Sequence, residues 1–356
     1  MLLCPPFSSA QTLRAVAARA GLLVGTCVTP EHFNEPQYAN TLAREFNMVE
    51  PENAMKWRAT EPARGEFDFT AGDRIVTFAE AHGMKVRGHN LLWDKYNPGW
   101  LATGHFTSPQ LAEIMHNHIR TVVQHYAGRV FAWDVVNESF DAHGNIKSTL
   151  WYDQPGIGFA GQKTRYIEQA FRWAHEADPK ALLFYNDFDV EAVNAKSDAM
   201  YAMVRDFRRH GVPIDGVGLQ MHLSNLDPSA LSSLAANIAR FAGLGLQVHI
   251  TEMDVALPVD HNGQLLHPED LHRQAQIYRK VAAVCAAQPA CTAFQTWGFT
   301  DRYSWIPRFT HGAKGQALVF DKNYQPKPAD RALLQGLARV TPKVAGERKQ
   351  ECRCGK

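Results

Sequence analysis

Val130–Glu138 reads VFAWDVVNE, and Gln247–Val255 reads QVHITEMDV. Each is a short run of apolar and β-branched residues, the length of a strand, with carboxylates near its C-terminal end. A run this apolar suits a parallel strand covered on both faces by helices. Six further segments share the pattern: LLVGT from Leu22, FNMVE from Phe46, KVRGHNLL from Lys85, LLFYNDFD from Leu182, DGVGLQMHL from Asp215 and AFQTWGFTD from Ala293. The stretches between them are far longer than a hairpin needs and suit parallel crossovers.

Helical patterns fill the gaps. Ser108 reads as a cap and Pro109 as the first helical residue before LAEIMHNHIRTVVQHY. RYIEQAFRWAHEA, from Arg165, repeats apolar residues at helical spacing and stops at Asp178-Pro179, and ALSSLAANIARFAGLG, from Ala230, ends on glycines. Eight strands alternating with helices predict an α/β fold, a single-domain (β/α)8 TIM barrel. No short repeat and no linker divides the chain. The expected organisation is a tail or leader remnant over 1–12, a catalytic barrel over 13–340 and a polar C-terminal tail over 341–356. Ser8-Ser9-Ala10 resembles a leader cleavage site, and a remnant and a native tail both stay open at this point.

The 356 residues are 45% hydrophobic and 21% charged, which excludes disordered, collagen-like and coiled-coil chains. No apolar run is long enough for a membrane helix. Lys plus Arg number 37 and Asp plus Glu 36, so the basic surplus of a nucleic-acid binder is missing, and neither membrane nor nucleic acid is an expected partner. Eight Trp, ten Tyr and nineteen Phe allow sugar stacking as well as core packing. The six cysteines are too sparse for a disulfide framework. Cys285 and Cys291 flank AAQPA, and their spacing suits either a small disulfide loop or two thiols.

Barrel enzymes place their chemistry at the C-terminal ends of the strands. There the sequence sets Glu52, Asn53 and Lys56; His89, Trp93 and Asp94; Asn137 and Glu138; Asn186 and Asp187; Gln220 and His222; Glu252 and Asp254; and Trp297, with Trp305 close behind. A single Glu at a strand end is ordinary, but two in apolar runs on strands four and seven need a reason. Glycoside hydrolysis supplies one, since it uses one carboxylic acid and one carboxylate across the bond to be broken. No phosphate-binding glycine loop, serine elbow or His-Glu-x-x-His motif competes. His89, His222 and Asp254 form an alternative metal-ligand set, without a close His pair to support it.

These residues resemble glycoside hydrolase family ten, the retaining endo-β-1,4-xylanases, over roughly Leu13 to Leu337. The motifs are ENAMKW at 52–57, VRGH at 86–89, WDVVNE at 133–138, GLQMH at 218–222, ITEMD at 250–254, TWGFTD at 296–301 and DKNYQPKP at 321–328. The resemblance implies Glu138 as acid/base, Glu252 as nucleophile, and Asn137, His222 and Asp254 as their support. It implies sugar contacts from Glu52, Asn53, Lys56, His89 and Gln220, with Trp93, Trp297 and Trp305 as apolar walls. It further implies a Cys285–Cys291 disulfide, hence a secreted or periplasmic protein, acting on xylan and xylo-oligosaccharides as a monomer, with no cofactor and no metal.

The chain departs from the family where many relatives continue after the strand-three Trp with His-Ser-Gln. Here Asp94-Lys95-Tyr96 stands instead. Asp94 is expected near Glu52, where it would repel unless Lys95 or Lys56 neutralises it, and Tyr96 is expected either to stack on sugar or to turn away. A β-glucan hydrolase, a metal-dependent hydrolase and a non-catalytic polysaccharide binder are the alternative functions.

Overall fold

The computed structural model describes residues 11–338. Most of the expected tails, at 1–12 and 341–356, lies outside the described residues. Thr12 is described, and its side chain accepts from Ala15 N to cap the helix Leu13–Arg19.

Eight parallel strands form the barrel: β1 Leu23–Val28, β2 Met48–Pro51, β3 Lys85–Leu92, β4 Val130–Asn137, β5 Leu182–Asp187, β6 Gly216–Leu219, β7 Gln247–Val255 and β8 Cys291–Thr296. Neighbours in sequence pair in parallel from β1 to β8, and β8 also pairs with β1, with Thr26 opposite Thr296, which closes the ring. The crossovers carry helices such as Ser108–His125, Arg165–Ala177 and Asp270–Ala287. Arg165–Ala177 shows why they dock: Tyr166, Ile167, Ala170, Phe171 and Ala174 form one buried stripe facing the sheet.

The barrel interior holds a cluster of buried charged and polar side chains. Arg87 on β3 meets Glu50 at 3.1 Å and contacts Asp134, and its Nη1 donates to His249 Nδ1 at 2.7 Å. Burial and then the adjacent Arg87 cation hold His249 well below its usual pKa, so this ring is neutral and accepts. Gly88 makes room for the layer, because a Cβ there would stand 2.2 Å from Trp133 Cε3.

Three local expectations change. The cap of the helix after β3 is Thr107, not Ser108; Gln110 Oε1 accepts from Thr107 N at 2.9 Å, closing a capping box. The sixth strand stops at Leu219 rather than running to Leu223, because Met221 N is drawn to Glu191 Oε1 at 2.8 Å and Met221 adopts φ 68°. His222–Leu223 then pairs separately with Asp254–Val255. The eighth strand begins at Cys291 and ends at Thr296, before Gly298 turns the chain at φ 90°. Cys285 and Cys291 form a disulfide with Cα atoms 5.2 Å apart, and Cys27 is a buried free thiol.

Candidate active site

Glu138 follows the last residue of β4. Its backbone still bridges to β5, with Glu138 N donating to Asn186 O at 3.0 Å, but its φ of 57° leaves the extended region and turns the side chain at the rim. Oε2 accepts from Trp93 Nε1 at 3.1 Å and from Lys95 Nζ at 3.4 Å. Oε1 accepts from Gln220 Nε2 at 3.2 Å and from Asn137 Nδ2 at 3.4 Å.

Glu252, on β7, has a different set of partners. Asn186 Nδ2 donates to Oε1 at 2.7 Å, and His222 Nε2 lies 3.1 Å from Oε2. The other His222 nitrogen, Nδ1, is 2.9 Å from Asp254 Oδ2, which also accepts from Trp305 Nε1 at 2.8 Å. Burial alone would push His222 down, but Asp254 and Glu252 outweigh it and hold the ring well above its ordinary value, so both nitrogens donate. Burial pushes Glu252 up, yet the His222 hydrogen bond and the His89 and His222 rings overcome it, and the net shift is downward. Glu252 is therefore a buried carboxylate kept ionised by its neighbours.

Amides connect the two carboxylates. Asn186 Nδ2 also donates to Asn137 Oδ1 at 2.9 Å, and Gln220 Nε2 reaches the same oxygen at 3.2 Å. Thr251 Oγ1 donates to Asn186 Oδ1 at 2.7 Å and fixes which way that amide points. Gly218 leaves the space for it, since a Cβ there would stand 2.2 Å from Asn186 Oδ1. Sequence reasoning placed Asn186 at a strand end but gave it no role; the polar Asn-Asp ending of an otherwise apolar strand was the available signal.

The remaining candidates line the same rim. Lys56 is buried, donates to Asn53 Oδ1 at 3.0 Å, and lies 5.1 Å from the Trp93 ring and 5.7 Å from the Trp297 ring. Burial lowers the Lys56 pKa, against the pull of Glu252 and Glu52. Glu52 accepts from Thr29 Oγ1 at 3.0 Å and lines a small pocket with Tyr38, Trp297 and Trp305. Trp93 and Trp305 are more than walls, because each indole N–H is committed to a carboxylate.

The metal-ligand set is not assembled. His89 Nδ1 faces Asp134 at 3.0 Å and Glu50 at 3.5 Å, whereas His222 and Asp254 pair with Glu252. Among the described residues the converging donor group is Glu50, His89 and Asp134, and the Arg87 guanidinium already occupies its charge.

The departing segment splits three ways. Burial pushes the Asp94 carboxyl up, and the charges acting on it are Lys147, Lys95 and Glu138 rather than Glu52, because the side chain turns behind Glu138 toward Thr149 and Tyr166. Lys95 reaches Glu138. Tyr96 stacks on Trp93, with centroids 5.3 Å apart and planes at 9°, beneath Lys56 Nζ at 4.4 Å.

A buried carboxylate held by a charged His–Asp pair, linked through amides to a second carboxyl on the C-terminal rim of a (β/α)8 barrel, defines a glycoside hydrolase. The family model for Glycosyl hydrolase family 10 matches residues 12–336, and the chain belongs to that family. It is 41% identical over 319 residues to endo-1,4-beta-xylanase B of Thermotoga neapolitana, covering 89% of this chain and 88% of the relative. It is 37% identical over 329 residues to an endo-1,4-beta-xylanase of Agaricus bisporus, covering 91% and 94%. Xylanase 10B from Thermotoga petrophila RKU-1, solved in complex with xylobiose, superposes with a TM-score of 0.86 at 40% identity over 93% of this chain and 98% of that one. No helix among the described residues is long and apolar enough to cross a membrane.

Proposed function

We propose that the protein is a retaining endo-1,4-β-xylanase that hydrolyses internal β-1,4-xylosidic bonds of xylan by double displacement. The observation that carries this reading is the unequal treatment of two linked carboxyls. Glu252 is kept anionic by a protonated His222, as a nucleophile requires, while Glu138 stands outside the His222–Asp254 pair and meets Trp93, Asn137, Gln220 and Lys95 instead. In the first step Glu138 gives its proton to the glycosidic oxygen. The C1–O bond breaks with its electron pair passing to that oxygen, and a Glu252 oxygen bonds to C1. In the second step Glu138, now a carboxylate, takes a proton from water, the water oxygen bonds to C1, and Glu252 departs with its electron pair.

The other site residues take supporting parts in this reading. Asn137 bonds the sugar 2-OH, and His222 and Asp254 hold Glu252. Glu52, Asn53 and Lys56 bind hydroxyls on the non-reducing side of the cleavage point, with Gln220 and His89 at the point itself. Trp93, Trp297 and Trp305 bound the cleft, and Trp297 with Trp305 crowds the place where a hexose would carry C6, which favours xylose. The protein works as a single catalytic domain over 13–340, as a monomer, outside the cytoplasm, where a disulfide such as Cys285–Cys291 persists.

Product analysis on xylan, cellulose and mixed-linkage glucan, with the product anomer followed by NMR, tests the proposal. Short xylo-oligosaccharides released with the β configuration support it. Release of the α anomer, or a preference for cellulose or mixed-linkage glucan, overturns it.

A further inference from the structure

The Lys56 ammonium sits among three aromatic rings. Its Nζ lies 4.4 Å from the centroid of Tyr96, 5.1 Å from that of Trp93 and 5.7 Å from that of Trp297. Lys56 is 5% exposed, whereas Tyr96 is 45% exposed. The ammonium's one hydrogen-bond acceptor among the described residues is Asn53 Oδ1, at 3.0 Å. An ammonium carries three N–H donors, so two are left over. Aromatic faces attract a cation through the ring quadrupole and do not take up its N–H groups as a carboxylate would.

Tyr96 is a large exposed side chain on a left-handed backbone, with φ 55°, which a non-glycine residue adopts at a cost. The helix that follows Lys56, Trp57–Thr60, holds that backbone in place. Arg58 N donates to Tyr96 O at 3.0 Å, and Arg58 Nε and Nη2 each donate to Asn97 O at 3.3 Å. The loop after β3 is thus tied to the segment that carries Lys56, which fixes the Tyr96 ring against the ammonium.

We propose that Tyr96 is a positioning residue for substrate binding: its ring closes an aromatic cage that fixes the Lys56 ammonium at the cleft and leaves its free N–H groups for sugar hydroxyls on the non-reducing side of the cleavage point. This rests on the reading of Lys56 as a hydroxyl binder. The other two rings have anchors of their own. Trp93 Nε1 donates to Glu138, and Trp93 O accepts from Trp151 Nε1 at 2.9 Å. Trp297 packs edge-on against His89, with centroids 5.2 Å apart. Removing the Tyr96 ring therefore opens the cage and leaves the Trp93–Glu138 contact in place. Lys56 then gains water on one flank, and its long side chain gains conformations that do not face the cleft. A lost hydroxyl contact away from the reacting bond shows in KM rather than in kcat.

The test is steady-state kinetics on an aryl xylobioside, whose two sugars both lie on the non-reducing side of the bond cleaved. The enzymes are the full chain, Tyr96→Leu, Tyr96→Phe, Lys56→Met and the double variant Tyr96→Leu with Lys56→Met. Tyr96→Leu should raise KM about 3–10-fold, the size of one cation–π contact to a desolvated ammonium, with kcat within about twofold. Tyr96→Phe keeps the ring and should stay within about twofold of the full chain in both constants. In the Lys56→Met background, Tyr96→Leu should add less than about twofold, because its effect passes through the ammonium. An unchanged KM in Tyr96→Leu, with or without a lower melting temperature, overturns the proposal, and so does an equal loss in Tyr96→Phe. Losses that multiply in the double variant also overturn it and mark Tyr96 as a direct sugar contact. A Lys56→Met enzyme with unaltered KM defeats the reading of Lys56 instead, so the two failures are distinct.

Discussion

Trp305 donates its indole N–H to Asp254 Oδ2 at 2.8 Å, onto the oxygen that already faces His222 Nδ1 at 2.9 Å. Asp254 is nearly inaccessible to solvent and its Oδ1 has no partner, so both side-chain donors it meets sit on Oδ2, and the Trp305 bond helps fix that oxygen in front of His222. Trp305→Phe keeps most of the ring and removes the N–H. The expected result is a loss of about tenfold in kcat/KM on xylan, the size of one charge-assisted hydrogen bond, with little change in thermal stability. Steady-state kinetics beside a melting curve checks both parts.

The two carboxylates should separate by leaving group. Glu252→Ala should leave no measurable hydrolysis of any substrate, because no covalent glycosyl intermediate can form. Glu138→Ala should cost about 10²–10⁴-fold on xylan but far less on aryl xylosides that leave readily. Equal losses on both substrate types would contradict the assigned roles.

Gly218→Ala tests the amide bridge from a position that touches no sugar-binding candidate. The new Cβ would stand 2.2 Å from Asn186 Oδ1, so that amide must swing, and its 2.7 Å bond to Glu252 goes with it. A drop in kcat of about tenfold or more is expected, with a stability loss of about 1–3 kcal/mol from overpacking. Thr251→Val, which removes the donor orienting Asn186, should reproduce the activity loss with a smaller steric penalty.

His222 links stability to pH. Its folded-state pKa lies well above 6.5 through Asp254 and Glu252, despite burial, which acts the other way. The stabilisation is therefore fully present below about 6.5 and disappears as pH rises through the folded value. Glu252, shifted down, contributes stability above about 4.5 that disappears as pH falls through its lower folded value. Melting temperatures of the full chain and His222→Asn should differ most near pH 6 and converge in alkaline buffer.

The disulfide spans a sequence separation of six, so the chain-entropy model gives it only about 2 kcal/mol. Reduction should lower the melting temperature by a few degrees and leave xylan hydrolysis unchanged at ambient temperature. A non-reduced digest should show the Cys285–Cys291 peptide. Two freely alkylated thiols in protein made under oxidising conditions would remove the argument for an exported protein.

The barrel was legible because each strand is a short apolar run, and polar residues accumulate at one end of nearly all of them. What escaped was long-range. Nothing near Met221 announces that its N–H belongs to Glu191, so the sixth strand was read past its end. The Thr107 cap was missed by one residue because Ser108-Pro109 carries the stronger local signal. The neighbours of Asp94 depend on which way a loop turns after β3, and neither Lys147 nor the wall behind Glu138 is visible in the segment itself. Glu138 and Glu252 stood out because carboxylates are rare in such apolar surroundings. Asn186 did not, since an amide at a strand end has many ordinary uses.

β8 starts at the disulfide and ends beside the cleft. Cys291 is its first residue and Thr296 its last, followed at once by Trp297. At about 3.3 Å per residue, the strand sets its two ends roughly 17 Å apart. The one crosslink among the described residues thus lies at the rim away from Glu138 and Glu252. Linker chemistry directed to that rim, or attachment to a solid support through it, leaves the opposite face free to receive a long polysaccharide chain.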